Sequence, residues 1–426
     1  MDASASQANL TSTFESDVRE IVTAQHVRTA TAGDAVRGVQ PRLVVEPGTE
    51  QDLAKVLKLA NDAGLAVIPR GGGTKLEWGN RPRRADVILS MARLDRVIEH
   101  AWADLTVNVE AGCSIGKLQE ALAKHRQRLA LDALWPERAT VGGVLSANDS
   151  GALRLRFGSL RDLVIGVTLA LPDGTVASSG GRVVKNVAGY DLPKLATGAL
   201  GTLGVITRAF FRLHPLPRER RTVSCKFAEV AEAQRVMLAI QDSRLAHSGL
   251  QICCGTEMPP RVDVLFEGTE AGLAAQVEQV KGMMSGETIS EDGDVWNARQ
   301  EIFSTRGEAD LAIAKFATLP AQLAESIEAI VRLAGANVRW SATAQATGIG
   351  WMRMEGAEAA LGEMMKAIRA GLESNGGSLV IVRQPVGIAG IESWGSVADA
   401  LAVMKAVKRQ FDPRGTLNAG RFVGGI

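Results

Sequence analysis

Residues Pro69-Arg70-Gly71-Gly72-Gly73-Thr74 follow directly on the apolar run Leu65-Ala66-Val67-Ile68. A strand that ends in consecutive glycines exposes successive backbone N–H groups with no Cβ in the way, a shape that suits an anion such as phosphate. Arg70 and Thr74 add a guanidinium and a hydroxyl, which bond phosphate oxygens. Alone, the triplet reads about equally well as a tight structural turn. Two further glycine-rich blocks follow at domain-scale distances. One is Thr140-Val141-Gly142-Gly143-Val144-Leu145-Ser146-Ala147-Asn148-Asp149-Ser150-Gly151, running on to Gly158. The other is Gly198-Ala199-Leu200-Gly201-Thr202-Leu203-Gly204-Val205-Ile206-Thr207. Three such blocks point to one large phosphorylated ligand cradled from several sides.

Familiar nucleotide motifs are excluded. The G-x-x-x-x-G-K-[ST] spacing is absent, and Gly71-Gly72-Gly73 runs on into a loop through Gly79 rather than opening a helix as G-x-G-x-x-G does. Gly198, Gly201 and Gly204 have the wrong spacing for that fingerprint. In the second block, paired glycines and small polar residues let backbone lie flat against a planar or phosphorylated ligand; the competing reading is a surface loop with solvated Arg154, Arg156 and Arg161. In the third, a strand beginning at a glycine can press its amides against a ring system and stabilise charge on it.

These blocks need elements to hold them. Arg42 to Pro47 reads as a short strand, and Thr49 as the N-cap of a helix with Asp52 three residues on. Leu53, Val56, Leu57 and Ala60 have helical spacing, and the helix stops at Gly64. With the strand that delivers the triple glycine, this makes a βαβ unit. Strands are expected at Ala85–Ser90, Thr106–Gly112, Leu163–Leu171 and Val205–Leu213, and a helix capped by Ser114 over Ile115–Leu129. Residues 1–16, rich in Ser, Thr and Ala, read as a loose lead-in. The mix of Pro and Arg at 214–221 marks a domain boundary. Beyond it, strands (222–227, 262–266, 312–317, 348–354, 378–382) alternate with helices (230–242, 273–284, 322–333, 357–372), as in an α+β layer with a mainly antiparallel sheet. A helix over 396–410 and a turn-rich tail, Phe411 to Arg421, close the chain. The tail is too rich in turn residues to be core.

The chain has 426 residues, enough for two or three domains, and a net charge of +1, which gives no reason to expect nucleic acid or an anionic membrane. Cys113, Cys225, Cys253 and Cys254 form no C-x-x-C and read as buried thiols of a reducing compartment. No apolar run reaches transmembrane length, and Met1-Asp2-Ala3-Ser4 opens no signal region, so the expected location is cytoplasmic, peripheral to a membrane at most through partners. The five His residues (His26, His100, His125, His214, His247) form no H-x-H or H-x-x-x-H pair, which argues against a metal site. His125 reads as surface and His214 as structural.

Taken together, Pro69–Thr74, the Thr140–Gly158 segment, Asn186-Val187-Ala188-Gly189-Tyr190-Asp191-Leu192, Gly201–Thr207 and the Phe411–Arg421 tail resemble the FAD-binding family of vanillyl-alcohol oxidase, p-cresol methylhydroxylase and the D-2-hydroxyacid dehydrogenases. Pro136-Glu137-Arg138-Ala139-Thr140-Val141-Gly142-Gly143 and Arg182 to Leu192 are most similar to the FAD-binding subunits of bacterial glycolate oxidases. The resemblance implies an α+β fold: a p-cresol methylhydroxylase-type FAD-binding domain of two subdomains (38–217), after an N-terminal lead-in (1–37), and a smaller α+β cap domain with a mainly antiparallel sheet (218–395). A C-terminal helix and tail (396–426) would return to the FAD domain.

Carried over residue by residue, the resemblance implies that Arg70, Gly71, Gly72, Gly73 and Thr74 hold the pyrophosphate. Thr140, Gly142, Gly143 and Asn148 would lie against the flavin and its ribityl chain, and Gly151 close by. The Ile206 backbone would touch the flavin or adenine side, and Asn418 would return to the site; Pro136 and Gly204, inside the matching blocks, complete the cofactor set. Some relatives attach FAD through a His just after the turn; Thr74 stands there, which implies non-covalent FAD. In the 2-hydroxyacid branch, His and acidic residues of the second domain gather a metal, whereas this chain has no His beyond His247. Arg339, Arg353 and Arg383 could face a small carboxylate, with solvated strand faces as the simpler reading.

The implied function is an FAD-binding subunit of a multi-subunit glycolate oxidase, an oxidoreductase that converts glycolate to glyoxylate. Its partners would be a related catalytic flavin subunit and an iron–sulfur subunit. The alternatives are a self-sufficient FAD-dependent 2-hydroxyacid dehydrogenase and a scaffold subunit with a decayed flavin site. No catalytic residue is assigned.

Overall fold

The structure is a computed structural model that describes residues 3–181, 189–284, 287–289, 294–304, 310–388, 390–397 and 399–426. Met1, Asp2 and the motif residues Arg182-Val183-Val184-Lys185-Asn186-Val187-Ala188 lie outside the described residues. The chain divides into two compact units: residues 1–149, 159–215 and 397–426 form one, residues 150–158 and 216–396 the other.

Among the described residues the first unit holds two larger sheets and a two-stranded ladder. β1 (Val27–Thr29), β2 (Leu43–Val45), β3 (Val67–Arg70) and β4 (Val87–Ser90) lie in the order β1-β2-β4-β3, with β4 parallel to both β2 and β3. Along these strands Leu43, Val45, Val67, Val87 and Leu89 join the main core, while Val44, Ile68 and Ile88 join a second cluster with Val36 and Ala85. Alternate residues thus bury on opposite faces, the pattern of a sheet covered on both sides. Helix α2 (Glu50–Asp62) crosses between β2 and β3; Thr49 Oγ1 accepts from the Asp52 N–H at 3.1 Å, and the chain leaves the helix through Gly64 at φ +65°.

The second sheet contains β5 (Val97–Ala101), β6 (Thr106–Glu110), β8 (Val164–Ala170), β9 (Val176–Gly180) and β10 (Val205–Arg212), in the order β5-β6-β10-β8-β9 and antiparallel throughout. A two-residue ladder joins β7 (Gln127–Arg128) to β11 (His214–Pro215). Helix α3 is shorter than its spacing predicts, Ile115–Ala123, because the chain turns at Arg126 (φ +55°) into β7.

Two expectations fail here. The N-terminal stretch is not loose but forms α1 (Ala3–Val22), on which Phe14, Val18 and Val22 recur every fourth residue and bury in the main core. The turn-rich C-terminal tail does contribute to the core: Leu417 is fully buried in it and bridges Val67, the first residue of β3.

The second unit is one eight-stranded antiparallel sheet with the order β15-β12-β14-β13-β17-β18-β16-β19. Its strands are β12 (Glu219–Lys226), β13 (His247–Gly255), β14 (Met258–Gly268), β15 (Glu287–Ile289), β16 (Leu311–Ala317), β17 (Arg339–Gln345), β18 (Ile349–Glu355) and β19 (Ser378–Arg383). The helices Val230–Asp242, Glu270–Met283, Leu323–Ala334 and Glu358–Ser374 share one core with it. β13 and β17, absent from the sequence reading, lie next to each other in the sheet. The architecture is α+β.

Candidate functional site

The glycine turn that ends β3 is shaped by its neighbour in space. A Cβ on Gly71 would fall 2.0 Å from Thr140 Oγ1, and one on Gly72 would fall 1.6 Å from the Arg138 carbonyl oxygen. Gly73 adopts φ +72°, open to glycine at no steric cost. The turn is therefore pressed against residues 138–140, and the first two glycine blocks meet.

Thr140 caps helix α4 (Val141–Ala147), its Oγ1 accepting from the Gly143 N–H at 3.4 Å. The Val141 and Gly142 amides donate to the Cys113 and Ala111 carbonyls at 2.9 and 2.8 Å. The start of this short helix is thus taken up by the protein itself. The opposite holds for the turn: among the described residues no hydrogen bond uses the N–H of Gly71, Gly72, Gly73 or Thr74. Four successive open amides form a surface whose chemistry suits an anion.

The third block docks on α4, where Gly198 and Leu200 donate from their amides to Leu145 and Ser146 carbonyls, each at 2.9 Å. Its Gly201 (φ +65°) packs beside Asn418. The tail brings Asn418 there: Val67 N–H donates to Thr416 O at 2.8 Å, Asn418 N–H to Val67 O at 3.0 Å, and Asn418 Nδ2 to Leu200 O at 2.5 Å. Lys408 fixes the same corner, its buried ammonium donating to Asp412 Oδ2 (2.6 Å), Thr202 O (2.7 Å) and Leu417 O (3.0 Å).

Together these segments line a cavity that is open to solvent on one side. Arg70, Gly71, Gly72, Gly73, Thr74, Thr140, Gly142, Gly143, Gly204, Ile206 and Asn418 all line it. β6 pairs with β10 only from Arg208 on, so Val205 and Ile206, paired with β8 on one edge, run past the end of β6 on the other and form part of the wall. Pro136 and Asn148 are not among the lining residues. The Pro136 carbonyl accepts from Gly116 N–H at 2.8 Å, while Asn148 ends α4 at φ +47° with its buried Oδ1 unpartnered among the described residues. Gly151 belongs to the second unit.

Charge in the wall is arranged differently from a simple reading of the motif. Arg70 donates to buried Asp34 at 2.7 Å, and Arg28 binds the same carboxylate through two bonds of 2.8 Å. Arg28 foremost, against the cost of burial, and then Arg70 and Thr31 hold Asp34 far below the ordinary carboxylate range. Two cations escaped the sequence reading as site residues. Lys75 is buried, pairs with Asp149 at 3.2 Å and lies over the Trp78 and Trp135 rings at 5.6 and 5.5 Å. Arg421, 2% exposed, donates to the Trp78 carbonyl at 2.7 Å and to that of Leu76. Burial pushes its guanidinium down to about 10. Both also line the cavity. Each sits at the end of a motif the sequence analysis used, which was the available signal.

In the second unit Arg339 and Arg353 are engaged by protein partners. Arg353 is buried and binds Glu355 and the carbonyls of Ile302 and Ser304; Arg339 binds the same Glu355. Burial would raise the Glu355 carboxyl, but bonds from Arg339 and Arg353 hold it below its usual value. Arg383 is exposed. Among the described residues no group of three His, Cys, Asp or Glu is placed to hold a metal.

Residues 41–180 match the family model of the FAD binding domain, and residues 395–422 that of the C-terminal domain of FAD-linked oxidases. The cofactor is FAD. The fold is that of p-cresol methylhydroxylase: a crystal structure of that enzyme with substrate bound superposes with a TM-score of 0.74 at 14% identity, covering 97% of this chain and 96% of the other. Alkyldihydroxyacetonephosphate synthase gives a TM-score of 0.72 at 17% identity over 95% and 85%. Among curated sequences, the mitochondrial D-lactate dehydrogenase [cytochrome] of Arabidopsis thaliana is 31% identical over 63% of this chain and 50% of its own length. Glycolate oxidase subunit GlcD of Bacillus subtilis is 28% identical over 50% and 45%. The chain spans about half the length of these curated relatives.

The residues present fit FAD. The open amides of Gly71 to Thr74 suit its diphosphate, and the glycines that shape the cradle leave no room for side chains. No helix among the described residues is long and apolar enough to cross a membrane.

Proposed function

We propose that this chain is the FAD-binding subunit of a multi-subunit glycolate oxidase, which oxidises glycolate to glyoxylate with a related catalytic flavin subunit and an iron–sulfur subunit. Bound FAD supplies two-electron redox chemistry; this chain's residues seat it. The Gly71–Thr74 amides hold the diphosphate, the Gly142–Gly143 backbone and the free edge at Val205–Ile206 lie along the rest of the dinucleotide, and Asn418 closes the site. Thr74, at the position where relatives carry an attaching His, offers no ring nitrogen, so FAD is held without a covalent bond. Pro136 and Asn148, outside the cavity lining, belong to the proposed set only through the motifs that carry the resemblance. We place the protein in the cytoplasm, peripheral to the inner membrane only through its partners.

The observation that carries the subunit reading is the state of the second unit. Oxidising a 2-hydroxy acid wants a base for the hydroxyl proton and a cation for the carboxylate. The second unit has His only at His247, whose ring burial pushes below its usual value, and its buried Arg353 is already bound to Glu355. The GlcD relative supports glycolate as the substrate of the assembly. The D-lactate dehydrogenase relative favours the second reading, a self-sufficient 2-hydroxyacid dehydrogenase.

Anaerobic mixing separates them. The purified chain is expected to be yellow and to release its flavin on acid precipitation. Its absorbance should stay unchanged with glycolate alone and bleach once the partner subunits are added. Bleaching by glycolate or D-lactate without partners overturns the subunit reading, and a colourless chain that takes up no FAD overturns the flavoprotein reading.

A further inference from the structure

We propose that β9, an outer strand of the second sheet in the first unit, is a docking edge at which a second copy of this chain pairs antiparallel about Ser178. The inference is independent of the flavin reading.

An open strand edge is a template for another chain, and proteins blunt such edges with charge, proline, a bulge or a covering segment. The other edge strands among the described residues carry these devices. β1 holds Arg28, β3 holds Pro69 and is bridged by Leu417, and β5 holds Glu99 and a bulge between Val97 and Glu99. In the two-residue ladder β7 holds Arg128 and β11 holds Pro215. In the second unit β15 begins at Glu287, while β19 ends at Arg383 and gives its Ile381 N–H to the Ser393 carbonyl at 2.7 Å. β9, Val176-Ala177-Ser178-Ser179-Gly180, has no charge, no proline and no register shift.

The free groups of β9 follow from its pairing. At the two ends of the β8–β9 ladder, Leu171 N–H donates to Thr175 O at 2.8 Å and Gly181 N–H to Ile165 O at 3.2 Å. Bonded pairs alternate in an antiparallel ladder, so between those ends Leu169 bonds Ala177 and Val167 bonds Ser179. The N–H and C=O of Val176 and Ser178, and the N–H of Gly180, therefore point away from β8. Among the described residues no hydrogen bond uses them, and Val176, Ser178 and Gly180 are exposed.

The register selects the occupant. Laid antiparallel to itself about Ser178, the strand sets Ser178 against Ser178 of the other copy, where the two exchange both backbone bonds. It also sets Val176 against Gly180 of the other copy, which donates its N–H to the Val176 carbonyl. No like charges face each other, and Val176 meets a residue without a side chain. This is the self-complementary contact that a two-fold dimer needs. Beside the edge, the Ser179 hydroxyl donates to the Tyr190 carbonyl at 2.9 Å, and Tyr190 is 91% exposed. Tyrosine is enriched where protein surfaces meet.

The test is the mass of the full chain as purified, read by light scattering over a dilution series, for wild type and three variants. Ser178→Pro removes the central outward N–H, which β8 does not use, so the strand itself is kept. Ser178→Ala gives up the hydroxyl bond to Thr168 at 2.9 Å and keeps the backbone pairing. Ser178→Cys sets two thiols opposite each other across the two-fold, within disulfide reach, while the native cysteines stay buried. Wild type and Ser178→Ala are expected at the mass of two chains and Ser178→Pro at the mass of one, with Ser178→Pro melting together with a diluted, dissociated Ser178→Ala. Mild oxidation should convert Ser178→Cys to a covalent dimer. A wild-type chain of single mass at every concentration overturns the proposal, and so does a folded Ser178→Pro that stays dimeric. Should Ser178→Pro not fold, Ser178→Cys decides, and failure to cross-link overturns the proposal. A single-mass wild type that captures an added partner subunit, and loses it in Ser178→Pro, gives the edge to another occupant and likewise overturns self-pairing.

Discussion

The hydroxyl of Thr140 fills the space in which Gly71 would carry a side chain: a Cβ there would lie 2.0 Å from Thr140 Oγ1. Two motifs far apart in sequence are thus one packed unit, and each constrains what the other can be. Gly71→Ala should destabilise the protein by about 1–3 kcal/mol, the usual cost of overpacking. Thr140→Ala removes the clashing hydroxyl and also the α4 cap. The double variant is expected to be more stable than the sum of the single losses, and a denaturation cycle over the four proteins measures that coupling.

Gly72 faces backbone rather than a side chain, so nothing there can rotate away; a Cβ would sit 1.6 Å from the Arg138 carbonyl. Gly72→Ala is expected to displace the open amides and to weaken FAD binding more than Gly71→Ala does. Flavin fluorescence quenching on titration reads the difference.

Asp34 answers to pH with a defined sign. Its carboxyl is held down in the fold by Arg28 and then Arg70. The stabilisation is complete above the unfolded value, about 3.9, and is lost as pH falls below it toward the depressed folded value. Asp34→Asn should therefore cost stability at neutral pH. The gap in melting temperature between wild type and variant should hold from pH 8 to 5 and shrink below about pH 4. A gap independent of pH in that range would refute this assignment.

Lys408 and Asp412 form a buried pair that binds the tail to the Thr202 turn. Removing one member strands the other; Lys408→Met and Asp412→Asn should each cost about 3–5 kcal/mol in urea unfolding. Replacing both with apolar residues should cost less than the sum, because no uncompensated charge remains.

All four cysteines are buried as free thiols. Burial pushes Cys113 up to about 11 and Cys254 up to about 12, so neither forms thiolate near neutrality. Ellman's reagent at pH 8 should find no reactive thiol in the native chain and four in urea.

Much of this molecule is legible in the sequence where the signal is local. Thr49 and Ser114 cap the helices they precede, because a hydroxyl one residue before an apolar repeat suits the open amides of the first turn. The cavity wall was legible wherever a glycine was required by contact. Strands β13 and β17 were not: β13 is buried on both faces from Ser248 to Cys254, so it shows no alternation, and β17 carries small residues (Ser341, Ala342, Thr343, Ala344) that give no polarity contrast. α1 was hidden because three apolar residues at fourfold spacing sit in a Ser/Thr-rich setting. The ion pair of Arg70 was hidden for a plainer reason. Its partner Asp34 lies in a separate turn, and no local pattern announces a contact between two segments that meet only in the fold.

The path of the C-terminal tail sets an order of events. Thr416 and Asn418 complete the hydrogen bonding of Val67, a strand residue made early in synthesis, and Asn418 walls the cavity that the strand opens into. A ribosome must therefore deliver the whole second unit before the last side of the cradle exists. Flavin capture therefore follows synthesis of the second unit, and a nascent chain stalled short of residue 416 should emerge folded in part but pale.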